Sequence, residues 1–210
     1  MLVDSHCHLD FEDFDADREA VLTRARAAGV GLMVTISTKI TLADKIITLA
    51  EAHEDVVCSV GIHPHEAGSE PETPTSEIVR LSAHPKVVGI GETGLDYYYE
   101  HSPREAQHRN FRAHIAAARE TSLPLIVHAR DADTDTADIL EDEMKNGAFP
   151  GLIHCFTAGP ELAKRALDIG FYISISGIAT FKNAETLRQT ILTVPEDRLL
   201  VETDSPYLAP

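Results

Sequence analysis

The sequence predicts an α/β protein of the (β/α)8 TIM-type barrel class, on three observations. Short apolar, β-rich runs alternate from end to end with Ala-, Glu- and Arg-rich stretches at helical spacing. The runs number eight. They are apolar throughout instead of alternating with polar residues, as strands of a parallel sheet covered on both faces must be. A doubly wound open sheet satisfies the first and third observations, but eight successive strand–helix units favour closure into a barrel.

Taken in order, a first strand at 1–6 (MLVDSH) precedes a helical stretch at 15–28, with Gly29 placed as its C-terminal cap. Strand 31–36 (GLMVTI) leads to helix 41–53, and strand 56–60 (VVCSV) to the acidic, Pro-containing surface loop 66–75. Helix 74–84 follows, with Pro74 suited to its first turn and Glu77 near its positive end. Strand 87–91 (VVGIG), helix 103–120, strand 125–128 (LIVH) and helix 133–145 continue the pattern. Strand 151–155 (GLIHC), helix 159–168 capped by Gly170, strand 171–175, helix 183–192 and strand 198–203 complete it. Only Asp204 to Pro210 remain, so the barrel is expected to lack a C-terminal eighth helix and to look shortened at that end. The outer faces of the first and eighth strands, around Val3 and Leu199 to Val201, should then be more exposed than their neighbours. No linker, repeat or low-complexity tract divides residues 1–210, which are read as a single domain.

Composition excludes several classes. No apolar run approaches bilayer length, and MLVDSHCHLD has neither a basic nor an apolar leader region, so a cytoplasmic protein without a membrane partner is expected. Cys7, Cys58 and Cys155 are an odd set without CxxC spacing, which indicates reduced thiols and neither a disulfide framework nor a zinc ribbon. The net charge of −16 argues against a broad basic surface for duplex nucleic acid. It leaves phosphate chemistry open, because bound divalent cations supply positive charge locally.

Barrel enzymes place their chemistry at the C-terminal ends of the strands. The first strand ends in Asp4-Ser5-His6-Cys7-His8, where residues two apart share a face, so His6 and His8 can aim at one ion. The fourth ends at Glu92 between Gly91 and Gly94, the fifth at His128, the sixth at His154, and the eighth at Glu202-Thr203-Asp204. Singly, each has a structural alternative: a satisfied buried imidazole for His128 or His154, a helix-cap acceptor for Glu92, a turn former for Asp204. Together, four histidines and two carboxylates converging on one barrel end require a compensating cation. Imidazole with carboxylate suits one or two ions of Zn, Mn or Fe, with Mg also compatible, and six candidate ligands exceed the need of one tetrahedral zinc. His63 and His65 follow the third strand and are read as substrate or supporting groups. Arg130 can bind an anionic oxygen or form a rim salt bridge with Asp131 or Asp133. Asp131, Asp133, Asp135 and Asp138 are read as a solvated helix start, and His53, His84, His101, His108 and His114 as surface residues.

These segments resemble the TatD family of metal-dependent hydrolases in the amidohydrolase-like superfamily. The resemblance runs essentially from Met1 to Pro210, through DSHCHLD (4–10), GIHPH (61–65), GETGLDYYY (91–99), PLIVHAR (124–130), HCFT (154–157) and ETDSPYLAP (202–210). It implies a one- or two-metal site and phosphodiesterase activity on DNA, typically 3′-to-5′ exonuclease, with single-stranded or frayed ends as substrate. On this resemblance His6, His8 and Asp204 serve one metal, Glu92 bridges, and His128 and His154 serve the second. Asp204, Glu92 and His63 are the implied catalytic groups, with His63, His65 and Arg130 at the substrate. Ala158 before Gly159 departs from the family's His-Cys-Phe-Ser/Thr-Gly turn. Relatives that hydrolyse cyclic amides bridge their metals with a carboxylated lysine, whereas no lysine ends a strand here and Glu92 does. The rival readings are ester or amide hydrolysis, such as removal of D-amino acids from mischarged tRNA, and an inactive, shortened metal-binding scaffold.

Overall fold

Eight parallel strands follow one another in sequence order around a nearly closed barrel, in a computed structural model that describes residues 1–209. They are β1 (Leu2–Cys7), β2 (Val30–Thr35), β3 (Val56–Val60), β4 (Val87–Asp96), β5 (Leu125–Arg130), β6 (Gly151–Ile153), β7 (Tyr172–Ile175) and β8 (Leu199–Val201). The connecting helices are α1 (Arg18–Ala27), α2 (Ala43–Glu51), α3 (Thr75–Ser82), α4 (Arg104–Thr121), α5 (Asp133–Met144), α6 (Pro160–Asp168) and α7 (Glu185–Ile191). All eight expected strands and all seven expected helices form. Gly29 (φ 92°) and Gly170 (φ 87°) close α1 and α6 in the left-handed conformation that their positions called for.

One boundary moves. The fourth strand does not stop at Gly91 but runs to Asp96, because Thr93 to Asp96 continue to pair with Val127 to Arg130 of β5. Register shifts between Ile90 and Thr93, so Gly91 and Glu92 form an irregularity inside the strand, of the kind that re-aims a side chain. Only glycine fits around it. At Gly91 (φ 141°) a Cβ would lie 2.7 Å from the Ile126 carbonyl oxygen, and at Gly94 (φ 137°) 2.0 Å from that of His128.

Between the barrel and its helices lies the main core, in which Phe111, Phe156, Phe171, Leu22 and Ile46 are fully buried. A second, smaller cluster of Ile36, Ile126 and Leu152, with Val34 and Leu200 against it, plugs the barrel interior. Strand alternation makes this plug the floor of the site. Ile126, Leu152 and Leu200 each lie two residues before an ionisable group (His128, His154 and Glu202), so the next inward position on three strands is polar.

Between β8 and β1 the barrel closes by individual hydrogen bonds. Asp204 N–H donates to the His6 carbonyl (2.9 Å) and His8 N–H to that of Ser205 (2.8 Å). Ser5 Oγ donates to the Val201 carbonyl (2.9 Å), and Asp4 accepts from Thr203 N–H (3.0 Å) and Thr203 Oγ1 (2.7 Å). The expected exposure is met in part: Val3 is 38% and Val201 57% exposed, as is Leu2 at 57%, whereas Leu199 is half-buried against the core. No helix of the described residues is long and apolar enough to cross a membrane.

Candidate metal centre

Glu92 is 2% exposed and is the hub of the site. Four imidazole nitrogens surround its carboxylate: His154 Nε2 at 2.7 Å, His128 Nδ1 at 2.9 Å, His6 Nε2 at 3.2 Å and His63 Nε2 at 3.3 Å. His6, His8 and Asp204 gather beside it. His6 Nε2 and His8 Nε2 are 3.3 Å apart, and Asp204 Oδ1 lies 3.6 Å from the first and 3.3 Å from the second. The His6 and His154 rings stack at 3.9 Å between centroids. Asp204 reaches inward from a left-handed backbone (φ 55°), a conformation aspartate tolerates better than most residues. All six residues expected to hold metal therefore converge on one end of the barrel, and His63 joins them.

Their electrostatics are those of a centre built around positive charge. Burial works to raise the pKa of Glu92, but the rings of His154, His63 and His6 outweigh it and hold the carboxyl well below its usual range. Burial works to lower His154, yet Glu92 and Glu202 push it well above the ordinary value. His6, buried and beside His154, is pushed down, and burial takes His63 down to about 4. Imidazole lone pairs facing each other at 3.3–3.4 Å, as in His6–His8 and His154–His128, repel unless a proton or a metal ion lies between them. Three groups have nitrogen and carboxylate atoms within 4.8 Å of one another: His6-His8-Glu92, His63-Glu92-His128 and His6-His154-Glu202. Soft-to-borderline nitrogen with hard oxygen is the donor set that divalent first-row metals take. The residues present fit such ions.

Two carboxylates belong to this architecture that the sequence reading did not single out. Asp96, fully buried, accepts from His128 Nε2 (3.0 Å) and His65 Nε2 (2.8 Å) with one oxygen, and from Tyr98 N–H (3.0 Å) and Tyr99 N–H (2.9 Å) with the other. Burial opposes its ionisation, but the hydrogen bond from His128 and its other donors keep it far below the usual carboxylate range. By accepting a hydrogen bond from His128 Nε2–H it leaves the Nδ1 lone pair to face Glu92. Glu202 accepts from Cys155 N–H (2.8 Å) and lies 3.4 Å from His154 Nδ1. The available signal was position: Asp96 ends β4, and Glu202 is the next inward residue after Leu200.

Helix α4 fixes the strand ends from behind. Gln107 Oε1 accepts from Asp96 N–H (2.8 Å), and Asn110 Nδ2 donates to the Ile62 carbonyl (2.8 Å). His114 Nε2 accepts from Ile62 N–H (3.1 Å). His114 corrects the expectation of a surface residue: it is 0% exposed, and its ring shares the buried face of α4 with Phe111, Ile115 and Ala118. Arg130 forms no salt bridge with Asp131 or Asp133. Its guanidinium lies over the rings of Tyr98 and Tyr99 instead, and Asp133 accepts from Gly159 N–H.

Comparison with known proteins agrees with this architecture. The family profile described as TatD related DNase matches residues 3–210. The "Uncharacterized metal-dependent hydrolase YcfH" of Escherichia coli (strain K12) is 46% identical over 212 residues, covering 100% of this chain and 79% of that protein. The "3'-5' ssDNA/RNA exonuclease TatD" of Citrobacter koseri is 34% identical over 211 residues, covering 100% of this chain and 80% of that protein. Among solved structures, the TatD homolog YJJV of Escherichia coli K12 superposes with a TM-score of 0.90 at 29% identity, over 99% of this chain and 80% of that one.

Proposed function

The chain belongs to the TatD-related DNase family and is a metal-dependent hydrolase, and from that premise we propose that it cleaves phosphodiester bonds, trimming single-stranded or frayed DNA from the 3′ end. The observation that carries this reading is Glu92 within 3.3 Å of four imidazole nitrogens, without a lysine at any strand end to take its place. His6 and His8, with Asp204, would hold one cation and His128 and His154 a second, with the Glu92 carboxylate available to both sets. Bound there, divalent cations (Zn, Mn, Mg or Fe) polarise phosphoryl oxygens and lower the pKa of an attacking water towards ~7.

The chain's own groups do the rest. Asp204, with 14% of its side chain exposed, is more open to solvent than Glu92 and is held ionised against its burial by His8. It orients the attacking water and accepts its proton at Oδ1. His63 accepts from His65 N–H at Nδ1 (3.1 Å), which puts its proton on Nε2, facing the centre. Kept neutral by burial, it donates that proton as a hydrogen bond to the departing oxygen. His65 and Arg130 meet the substrate at the rim.

The test uses a single-stranded oligonucleotide. Chelator is expected to abolish cleavage and re-added metal to restore it, while Glu92→Ala lowers turnover by about a thousand-fold, comparable with removing a principal electrostatic group. Chelator-resistant cleavage, or full activity of Glu92→Gln without bound metal, would overturn the proposal.

A further inference from the structure

Where β4 leaves the barrel, three consecutive tyrosines take different courses. Tyr97 lies against α4 and α5, its hydroxyl bonded to His108 (2.5 Å) and to Asp135 (2.6 Å). Tyr98 and Tyr99 remain 58% and 48% exposed at the rim of the metal centre. Arg130, at the end of β5, covers both: its guanidinium carbon lies 4.3 Å from the centre of the Tyr98 ring and 4.8 Å from that of Tyr99. His101 lies parallel to Tyr99 on the shelf, at 5.4 Å and 8°, which leaves Tyr98 the more open ring.

The shelf is rigidly coupled to the site. One oxygen of Asp96 holds the backbone N–H groups of both tyrosines, and the other holds His65 and His128. The Tyr99 ring lies 5.4 Å from His65, whose ring lies 4.4 Å from His63, which reaches Glu92. Among the described residues Arg130 has no carboxylate partner, and its guanidinium is held over the two rings, so its charge is available to a ligand.

We propose that Tyr98, Tyr99 and Arg130 form a stacking subsite for one unpaired nucleobase next to the scissile phosphate, with Arg130 drawing in the strand's phosphate. The inference rests on the phosphodiesterase reading above and assigns residues to the single-strand preference proposed there. A chain of net charge −16 cannot hold a polyanion through a broad basic surface. Stacking, which any base supplies through its π face, then adds affinity for the strand beyond the cations and Arg130. A base within a duplex already has both faces stacked and its edge paired, so the shelf selects single strands and frayed ends.

The experiment compares two fluorescent oligothymidylate strands with phosphorothioate linkages at the 3′ end, one intact and one ending in an abasic tetrahydrofuran residue. Binding to the metal-loaded protein is read by anisotropy, independently of turnover. Wild type is expected to bind the intact strand ~10- to 100-fold more tightly, the range one stacked base supplies. The Tyr98→Leu/Tyr99→Leu variant should bind both strands alike, and Tyr98→Phe/Tyr99→Phe, which keeps the rings, should keep the preference. Equal binding of both strands by wild type overturns the subsite, as does a preference that survives the leucine variant. A stacking preference without any metal-dependent cleavage of an unmodified strand would instead overturn the nuclease reading and leave the subsite standing.

Discussion

The two walls that deliver the site's side chains are held in different ways. The β3–β4–β5 wall supplies Glu92, Asp96, His63 and His128, and it is backed by α3 and by the eighteen-residue α4. Its strand ends are pinned by buried polar groups of α4, with Phe111 and Ile115 packed around them. The β8–β1 seam supplies His6, His8, Glu202 and Asp204, yet its outer face is open at Leu2, Val3 and Val201. There the register rests on hydrogen bonds of Asp4, Ser5 and Thr203. Packing sets the geometry of one wall and polar pairing that of the other. Damage to the first should therefore appear as lost stability, and damage to the second as lost metal affinity.

The largest expected effect falls on the packed wall. Phe111 is fully buried on α4, and Phe111→Ala should cost about 3–5 kcal/mol of unfolding free energy, measured by denaturant titration of the metal-free protein. A loss below about 1 kcal/mol would mean that α4 is not what holds this wall, and the contrast would collapse.

His114 offers a second, pH-resolved view of the same wall. Burial pushes its pKa from 6.5 down to about 4, and the neutral ring accepts from Ile62 N–H while Nδ1 donates to the Asn110 carbonyl. The unfolded chain takes up a proton there below about pH 6.5, whereas the folded chain does so only near pH 4. Stability from this group is thus complete above pH 6.5 and falls by about 1.4 kcal/mol per pH unit as pH drops through that window. The stability difference between wild type and His114→Leu should be constant above pH 6.5 and shrink below it. A difference that grows towards acid would show that the ring is charged in the folded state.

How much of this was legible beforehand follows from what each signal depends on. Strand ends are local properties of the sequence, so His6, His8, Glu92, His128, His154 and Asp204 could be read off at or just past the ends of apolar runs, His128 and His154 as the first ionisable groups there. The role of Asp96 depends on three strands at once, since its partners His65 and His128 come from the loop after β3 and from β5. His114 was misplaced because its type was weighed above its position: spacing from Phe111 and Ala118 puts it on the apolar stripe of α4. The extension of β4 past Gly91 was hidden by the glycines themselves, which read as a strand end and are instead the means of turning Glu92 inward.

The smallest stability effect is expected at the seam, where its meaning is clearest. Asp4 accepts from Thr203 twice and from His6 N–H (3.3 Å), so one carboxylate joins the segment carrying His6 to the segment carrying Asp204. Asp4→Ala should cost about 1–3 kcal/mol, the range for leaving partly buried donors unpaired. Its effect on metal affinity should be disproportionate, about 10- to 100-fold by calorimetric titration, because such supporting groups orient ligands they do not replace. Val201→Ser, on the same seam but 57% exposed, should change stability by less than about 0.5 kcal/mol and leave metal affinity unaltered. If Asp4→Ala weakened folding as much as Phe111→Ala while metal affinity held, the seam would be a structural wall like its counterpart. If Val201→Ser matched Asp4→Ala in either measurement, burial at the seam would outweigh its polar pairing.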